Sequence, residues 1–246
     1  MSIFSKQQLS IFAGELVVVV MGILIAFQVE EWREKRQADR ALNAALARLH
    51  EEAKSNLAYC ANWMPRRQDV GSGVEQVYLS LSRSELRAEE IPQFEKGLAA
   101  VSMLPTFNLQ LTVVDEMIST GLLKDLEDDE LRQAVADIHQ AQRTADASYT
   151  TRRESVRELA EVLRDYIDVE LLEGPTIMSR ERKLTNSLEL ETRVVYDFDE
   201  LAASRRIRNL FFEALDSHAD QFGSIESLCA LAGRIDRRLD MINYSN

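Results

Sequence analysis

The sequence predicts an all-α protein: an N-terminal transmembrane helix continuing into a long stalk helix, with an antiparallel helical bundle as its soluble domain. Three observations predict it. An apolar run from Ile11 to Val29 carries one charge, Glu15. Glycine and proline are absent between Gly22 and Pro65, between Gly121 and Gly174, and between Pro175 and Gly223, so nothing local interrupts long helices there. The last forty or so residues hold an unbroken 4-3 apolar alternation.

The membrane segment is assigned to 9–29, because with Leu9 the run spans about 30 Å of helix, the hydrocarbon thickness of a bilayer. Glu30 and Glu31 end it, Trp32 stands where an interfacial aromatic anchor belongs, and Arg33, Lys35 and Arg36 follow in the headgroup zone. A cleaved signal peptide fits less well, since Ala26-Phe27-Gln28 offers no small-residue cleavage site. Gly14, Val18, Gly22 and Ala26 recur every four residues and form a stripe that lets another helix approach closely. Glu15 lies beside it, suited to bonding across a helix pair or to reaching the near interface. An ion or proton path would need polar partners deeper in the span, where only Gln28 occurs, on another face. Cations alone outnumber on the side after the span, whereas net charge is more positive before it; the reading leans towards a periplasmic domain.

The chain then divides into a tail (1–8), the span (9–29), a stalk (30–64) and a bundle domain (65–246) whose core includes the stalk. Leu42, Leu46, Leu49, Ala53, Asn56, Cys60 and Trp63 keep a 4-3 spacing along the stalk, with Asn56 expected at a solvated edge or fixing register. This helix is expected to stop near Pro65. Short helices follow at 74–81, after Gly71-Ser72-Gly73, and at 92–101, which opens on a proline. Thr112 to Ser119 reads as a helix capped by Gly121, and Asp128-Asp129-Glu130 as the acidic first turn of a long helix ending at Gly174-Pro175. Its middle, Gln140 to Ser155, offers mostly alanines and polar residues, for solvent or a partner. Residues 176–198 read as a connector, with 192–196 extended. The final helix places Ile207, Phe211, Ala214, His218, Gln221, Ile225, Leu228, Ala232, Ile235, Leu239 and Ile242 on one seam.

Gly14-Glu15 with its apolar run, Gly22-Ile23-Leu24-Ile25-Ala26 and Trp32 resemble the N-terminal signature of a widespread bacterial family of single-pass inner-membrane proteins built around a domain of unknown function. Asp115-Glu116-Met117-Ile118-Ser119-Thr120-Gly121-Leu122-Leu123, then Leu126 and Asp129-Glu130-Leu131-Arg132, is similar to that family's central E-x-x-x-S-G-x-L…L-R region, with Thr120 where the family usually has serine. Glu116, Thr120, Gly121, Leu123 and Arg132 carry this second likeness. The resemblance implies a bacterial inner-membrane location and a helical fold, and supplies no catalytic residues.

The net charge of −12, with 29 Lys and Arg against 41 Asp and Glu and no basic stripe, argues against nucleic acid as a partner. The three histidines are scattered and no nucleophile elbow or phosphate-cradling loop occurs. Leu126 to Glu130 lacks the spaced oxygens of a calcium loop, and Glu161, Asp165 and Asp168 face no second carboxylate pair. No catalytic, cofactor-binding or metal-ligating residue and no small-molecule substrate is expected; His218 reads as a satisfied core histidine. Cys60 and Cys229 fall at or beside seams, where buried thiols are the default; a disulfide between them is expected only for a domain outside the cytoplasm. The function read from the sequence is a structural or scaffolding membrane protein, self-associating or an accessory subunit of a membrane complex, with a membrane-anchored sensor as the alternative. Its expected partners are the lipid bilayer and further copies or subunits.

Overall fold

The computed structural model describes residues 6–171 and 192–244, with side chains from residue 20 onwards except at 169, 171, 192, 243 and 244. The described chain is overwhelmingly helical. Helix α1 runs Lys6–Arg83, α2 Ile91–Ala100, α3 Thr112–Thr120, α4 Asp129–Leu163, α5 Phe198–Ala203 and α6 Arg205–Tyr244. Strands β1 (Ile167–Leu171) and β2 (Thr192–Tyr196) pair antiparallel, Ile167 opposite Tyr196.

Side-chain contacts set the direction of each element. Arg83 meets Glu90, Gly73 meets Gly97, Tyr59 stacks on Phe107, Asn56 bonds Gln110 and Arg48 bonds Glu116, so everything from α2 to α3 runs back alongside α1. Helix α4 then runs parallel to α1. Helix α6 returns antiparallel to both, pairing Arg206 with Glu158, Arg234 with Asp137, Tyr78 with Phe212 and His50 with Asp236. The result is an up-down-up-down bundle whose second member is broken into α2, an irregular segment and α3. The terminal seam is buried from Ile207 through Leu239, with Ile242 packed at its margin, as the 4-3 pattern requires.

Several boundaries differ from the sequence expectation. Helix α1 does not stop at Pro65 but carries it as an interior residue. An interior proline loses one backbone bond and crowds the preceding turn, a cost of about 3 kcal/mol. Here ties on both sides hold the helix through that defect: Cys60 to α6 before it, Arg67 to the α2–α3 segment after it. The expected separate helix at 74–81 is the end of α1, and Gly71-Ser72-Gly73 is helical. Gly73 lies against Gly97, and a Cβ on Gly97 would come within 2.1 Å of the Gly73 carbonyl oxygen. Helix α4 ends at Leu163 rather than at Gly174-Pro175, giving way to β1; Gly174, Pro175 and most of the expected connector lie outside the described residues. Asn56 is neither solvated nor at an edge: it is 4% exposed and exchanges two hydrogen bonds with the Gln110 backbone, at 2.8 and 2.9 Å. The α3–α4 corner matches its expectation, with Gly121 at φ 83° in the left-handed region and Asp128 accepting from Leu131 N at 2.9 Å.

The membrane span expected at 9–29 falls largely on side chains outside the described set. Among the described residues no helix is long and apolar enough to cross a membrane. Of the described side chains, those from Val20 to Val29 belong to that run, about 15 Å of helix. Every described side chain from Val20 to Ala41 is exposed, so α1 projects from the bundle by more than 30 Å, roughly, before Leu42 begins to pack.

Candidate functional site

The core is not continuous. One apolar cluster joins Ala45–Cys60 of α1, α3, the start of α4 and the end of α6; a second joins Val74–Leu81, α2, the end of α4 and the start of α6. Polar residues lie between them. The middle of α4 has no large aliphatic side chain to offer, and α6 places His218 and Gln221 on its seam at that level. Arg67, Gln142, Arg152, Ser217, His218 and Gln221 are all buried there.

These side chains hold the irregular segment between α2 and α3, whose backbone has no helical partners of its own. Arg67 Nη1 donates to Met103 O at 2.9 Å, Tyr149 Oη to Leu104 O at 2.9 Å and Gln221 Nε2 to Pro105 O at 2.7 Å. Gln142 accepts from Leu109 N at 3.2 Å. His218 Nε2 lies 3.0 Å from Val101 O, which makes it the donor; Nδ1 then accepts from Arg67 Nη2 at 2.7 Å. One neutral tautomer satisfies both bonds.

Burial pulls the His218 imidazole down to about 4, the Arg67 cation adding to the fall and the Val101 bond opposing it. Burial likewise lowers Arg67, to about 10. An unfolded histidine takes its proton near 6.5, so between 6.5 and 4 the unfolded chain binds more protons than the folded one. His218 therefore favours folding fully above that window and progressively less as pH falls through it, by about 3 kcal/mol in all. Guanidinium midpoints measured from pH 7 to pH 4 should fall for the wild type and fall less for His218→Gln.

A cavity of about 230 Å³ opens beside this layer. Phe107, Ile225 and Leu228 form its apolar wall; Asp146, Tyr149, Arg152 and Gln221 supply polar groups. Arg152 is 9% exposed and bonds through its terminal nitrogens to neutral oxygens of Ala145, Ser148 and Ser224. Its Nε and the Gln221 Oε1 are buried and make no hydrogen bond among the described residues.

The residues singled out in the sequence occupy two separate places. Gly14, Glu15 and Val18 have side chains outside the described set; Gly22 and Ala26 are exposed, with open space where a Gly22 Cβ would stand. Trp32 is 58% exposed, and the Arg36 guanidinium lies 4.9 Å over its ring. The second motif forms the corner between α3 and α4. Glu116 takes a bidentate bond from Arg48 at 2.7 and 2.8 Å, which holds its carboxyl below the usual carboxylate range. The Ser119 and Thr120 hydroxyls donate to Glu116 O, Gly121 turns the chain, Leu123 packs at the core margin and Arg132 Nη1 bonds Leu126 O. Glu52 of α1 caps α3, accepting from Val113 N at 2.9 Å and Val114 N at 3.4 Å; burial pushes its carboxyl up. This is a structural corner.

Cys60 and Cys229, expected by default as buried thiols, are joined by a disulfide bridging α1 and α6. Two features escaped the sequence reading because each needs residues far apart in the chain: the polar layer, and a cluster of His50, Asp236 and Asp240. The i, i+4 spacing of the two aspartates was the only local signal for the latter. No family model matches the chain, and neither a curated protein nor a solved structure was found to be similar to it.

Proposed function

We propose that this chain is a membrane-anchored structural protein, held by one span across 9–29 and presenting a helical bundle that assembles with further copies or with subunits of a membrane complex. One observation carries the reading. The projecting end of α1 exposes Val20, Met21, Ile23, Leu24, Ile25, Phe27 and Val29, apolar on all sides of the helix. A helix apolar all round calls for lipid or protein to cover it. The residues before Val20 continue the apolar run to bilayer length, and Trp32 with Arg36 suits the interface. The likeness of the N-terminal residues to a family of inner-membrane proteins supports the same reading. The Cys60–Cys229 disulfide favours a domain outside the cytoplasm.

Expressed in bacteria, the full chain should stay with membranes through alkaline carbonate extraction, and Leu24→Arg combined with Ile25→Arg should release it. Wild-type protein in the soluble fraction overturns the anchor. Cross-linking in detergent should give dimers or larger species that Gly22→Leu diminishes; monomers alone would remove self-association.

A sensor is the second reading, favoured by the Arg152–Gln221 cavity lying between the two core clusters that α1 joins. Native mass spectrometry of protein purified from membranes distinguishes them. A small molecule retained by wild type and lost from Arg152→Met supports the sensor; the bare mass in both supports a scaffold alone.

A further inference from the structure

We infer that His50, Asp236 and Asp240 form a binding site for a divalent transition metal of the zinc type, which clips the stalk helix to the terminal helix at the membrane-proximal end of the bundle. His50 comes from α1, and the aspartates, four apart on α6, share one helix face. The imidazole Nε2 lies 3.2 Å from Asp236 Oδ1 and 3.1 Å from Asp240 Oδ1, and all three ligand atoms fall within 4.8 Å of one another. Tetrahedral zinc, with bonds of about 2.0–2.1 Å, sets its ligand atoms roughly 3.3 Å apart. The two histidine–aspartate edges are already at that spacing, and a side-chain rotation brings the two carboxylates to it.

The alternative is a simple ion pair, and the proton count weighs against it. Nε2 carries at most one proton, which serves one oxygen, while two carboxylates converge on it. Asp236 Oδ1 is enclosed and accepts no hydrogen bond among the described residues. Two arginines of the same helix are committed elsewhere: Arg234 to Asp137, and Arg238 to Asp128 and Glu130. A divalent ion neutralises both carboxylates and uses the imidazole lone pair. One nitrogen with two carboxylates suits zinc and its neighbours, whereas calcium and magnesium take all-oxygen sets with more ligands. Asp240 is half exposed, leaving a side open for a water as fourth ligand. With both cysteines in the disulfide, no free thiolate competes.

The test uses full-length protein in detergent, stripped with EDTA and titrated calorimetrically with zinc, manganese, magnesium and calcium chlorides near neutral pH. One zinc should bind per chain, raising Tm by roughly 5 °C or more at saturation, with magnesium and calcium inert at equal concentration. Asp240→Asn, at a half-exposed position, should keep the metal-free Tm and helical circular dichroism while weakening zinc at least tenfold. His50→Gln should abolish binding. Absence of zinc binding, or affinity unchanged in Asp240→Asn and His50→Gln, overturns the site; so does a preference for calcium or magnesium.

Discussion

Reducing the Cys60–Cys229 disulfide, or replacing both cysteines with alanine, is expected to cost the bundle about 4–5 kcal/mol, because the crosslink closes a very long loop. The sequence separation is 169 residues, and the entropy removed from the unfolded chain grows with the logarithm of that number. The bridge also lies where its loss is felt. Cys60 is 4% exposed within the cluster nearer the projecting end of α1, a turn before Pro65, and its neighbours Tyr59 and Trp63 pack against Phe107 of the irregular segment, one stacked and one edge-on. Guanidinium unfolding of oxidised and reduced protein, followed by tryptophan fluorescence, measures the difference. Coincident midpoints would show that the crosslink contributes nothing. If the domain faces an oxidising compartment, the reduced form is the one that such a compartment would not normally contain.

Gly97→Ala should be the most damaging alanine substitution among the described glycines, costing about 3 kcal/mol or more. A Cβ there would stand 2.1 Å from the Gly73 carbonyl oxygen, 2.4 Å from its carbon and 2.8 Å from a Val77 methyl, so α2 must move off α1. Gly73→Ala is milder: its Cβ would meet the Gly97 backbone at 3.0 Å. Gly223→Ala provides the contrast. It lies inside α6 with nothing within 4 Å, so alanine should stabilise by about 1 kcal/mol through helix propensity alone. Denaturant midpoints of the three variants should therefore rank Gly223→Ala above wild type, then Gly73→Ala, then Gly97→Ala. Equal behaviour of Gly97→Ala and Gly223→Ala would contradict the close crossing.

The contrast among these glycines also explains what the sequence could and could not convey. The α6 seam, the Gly121 turn, the acidic start of α4 and the extended stretch at 192–196 depend on neighbours in the chain, and each is legible there; that Asp128 caps α4 rather than opening its first turn is not. Pro65 and Gly71-Ser72-Gly73 are helix breakers by local chemistry, yet α1 runs through them, because the Cys60 bridge, the Arg67 bond and the Gly97 contact all come from distant residues. Asn56 reads in the sequence as a surface or register residue for the same reason: its partner, Gln110, is 54 positions away. The candidate sites divide likewise. The apolar run and its aromatic flank announce themselves in composition, whereas Arg152 facing Gln221, and His50 facing Asp236, exist only once α6 has returned along the bundle.

The split core sets two apolar clusters in series along the bundle. Helices α1, α4 and α6 pass through both, but between them lie buried arginines, an imidazole and amides bonded to loop carbonyls, a junction that yields before well-packed hydrocarbon does. Acid is expected to weaken that junction through His218, whose imidazole is held by burial below its ordinary range. Local opening is therefore expected to begin in the distal cluster, with its short strands and α2, while the disulfide ties α1 to α6 in the proximal one. Under load applied through the projecting end of α1, resistance resides in the half nearest the load, the one that the disulfide crosslinks.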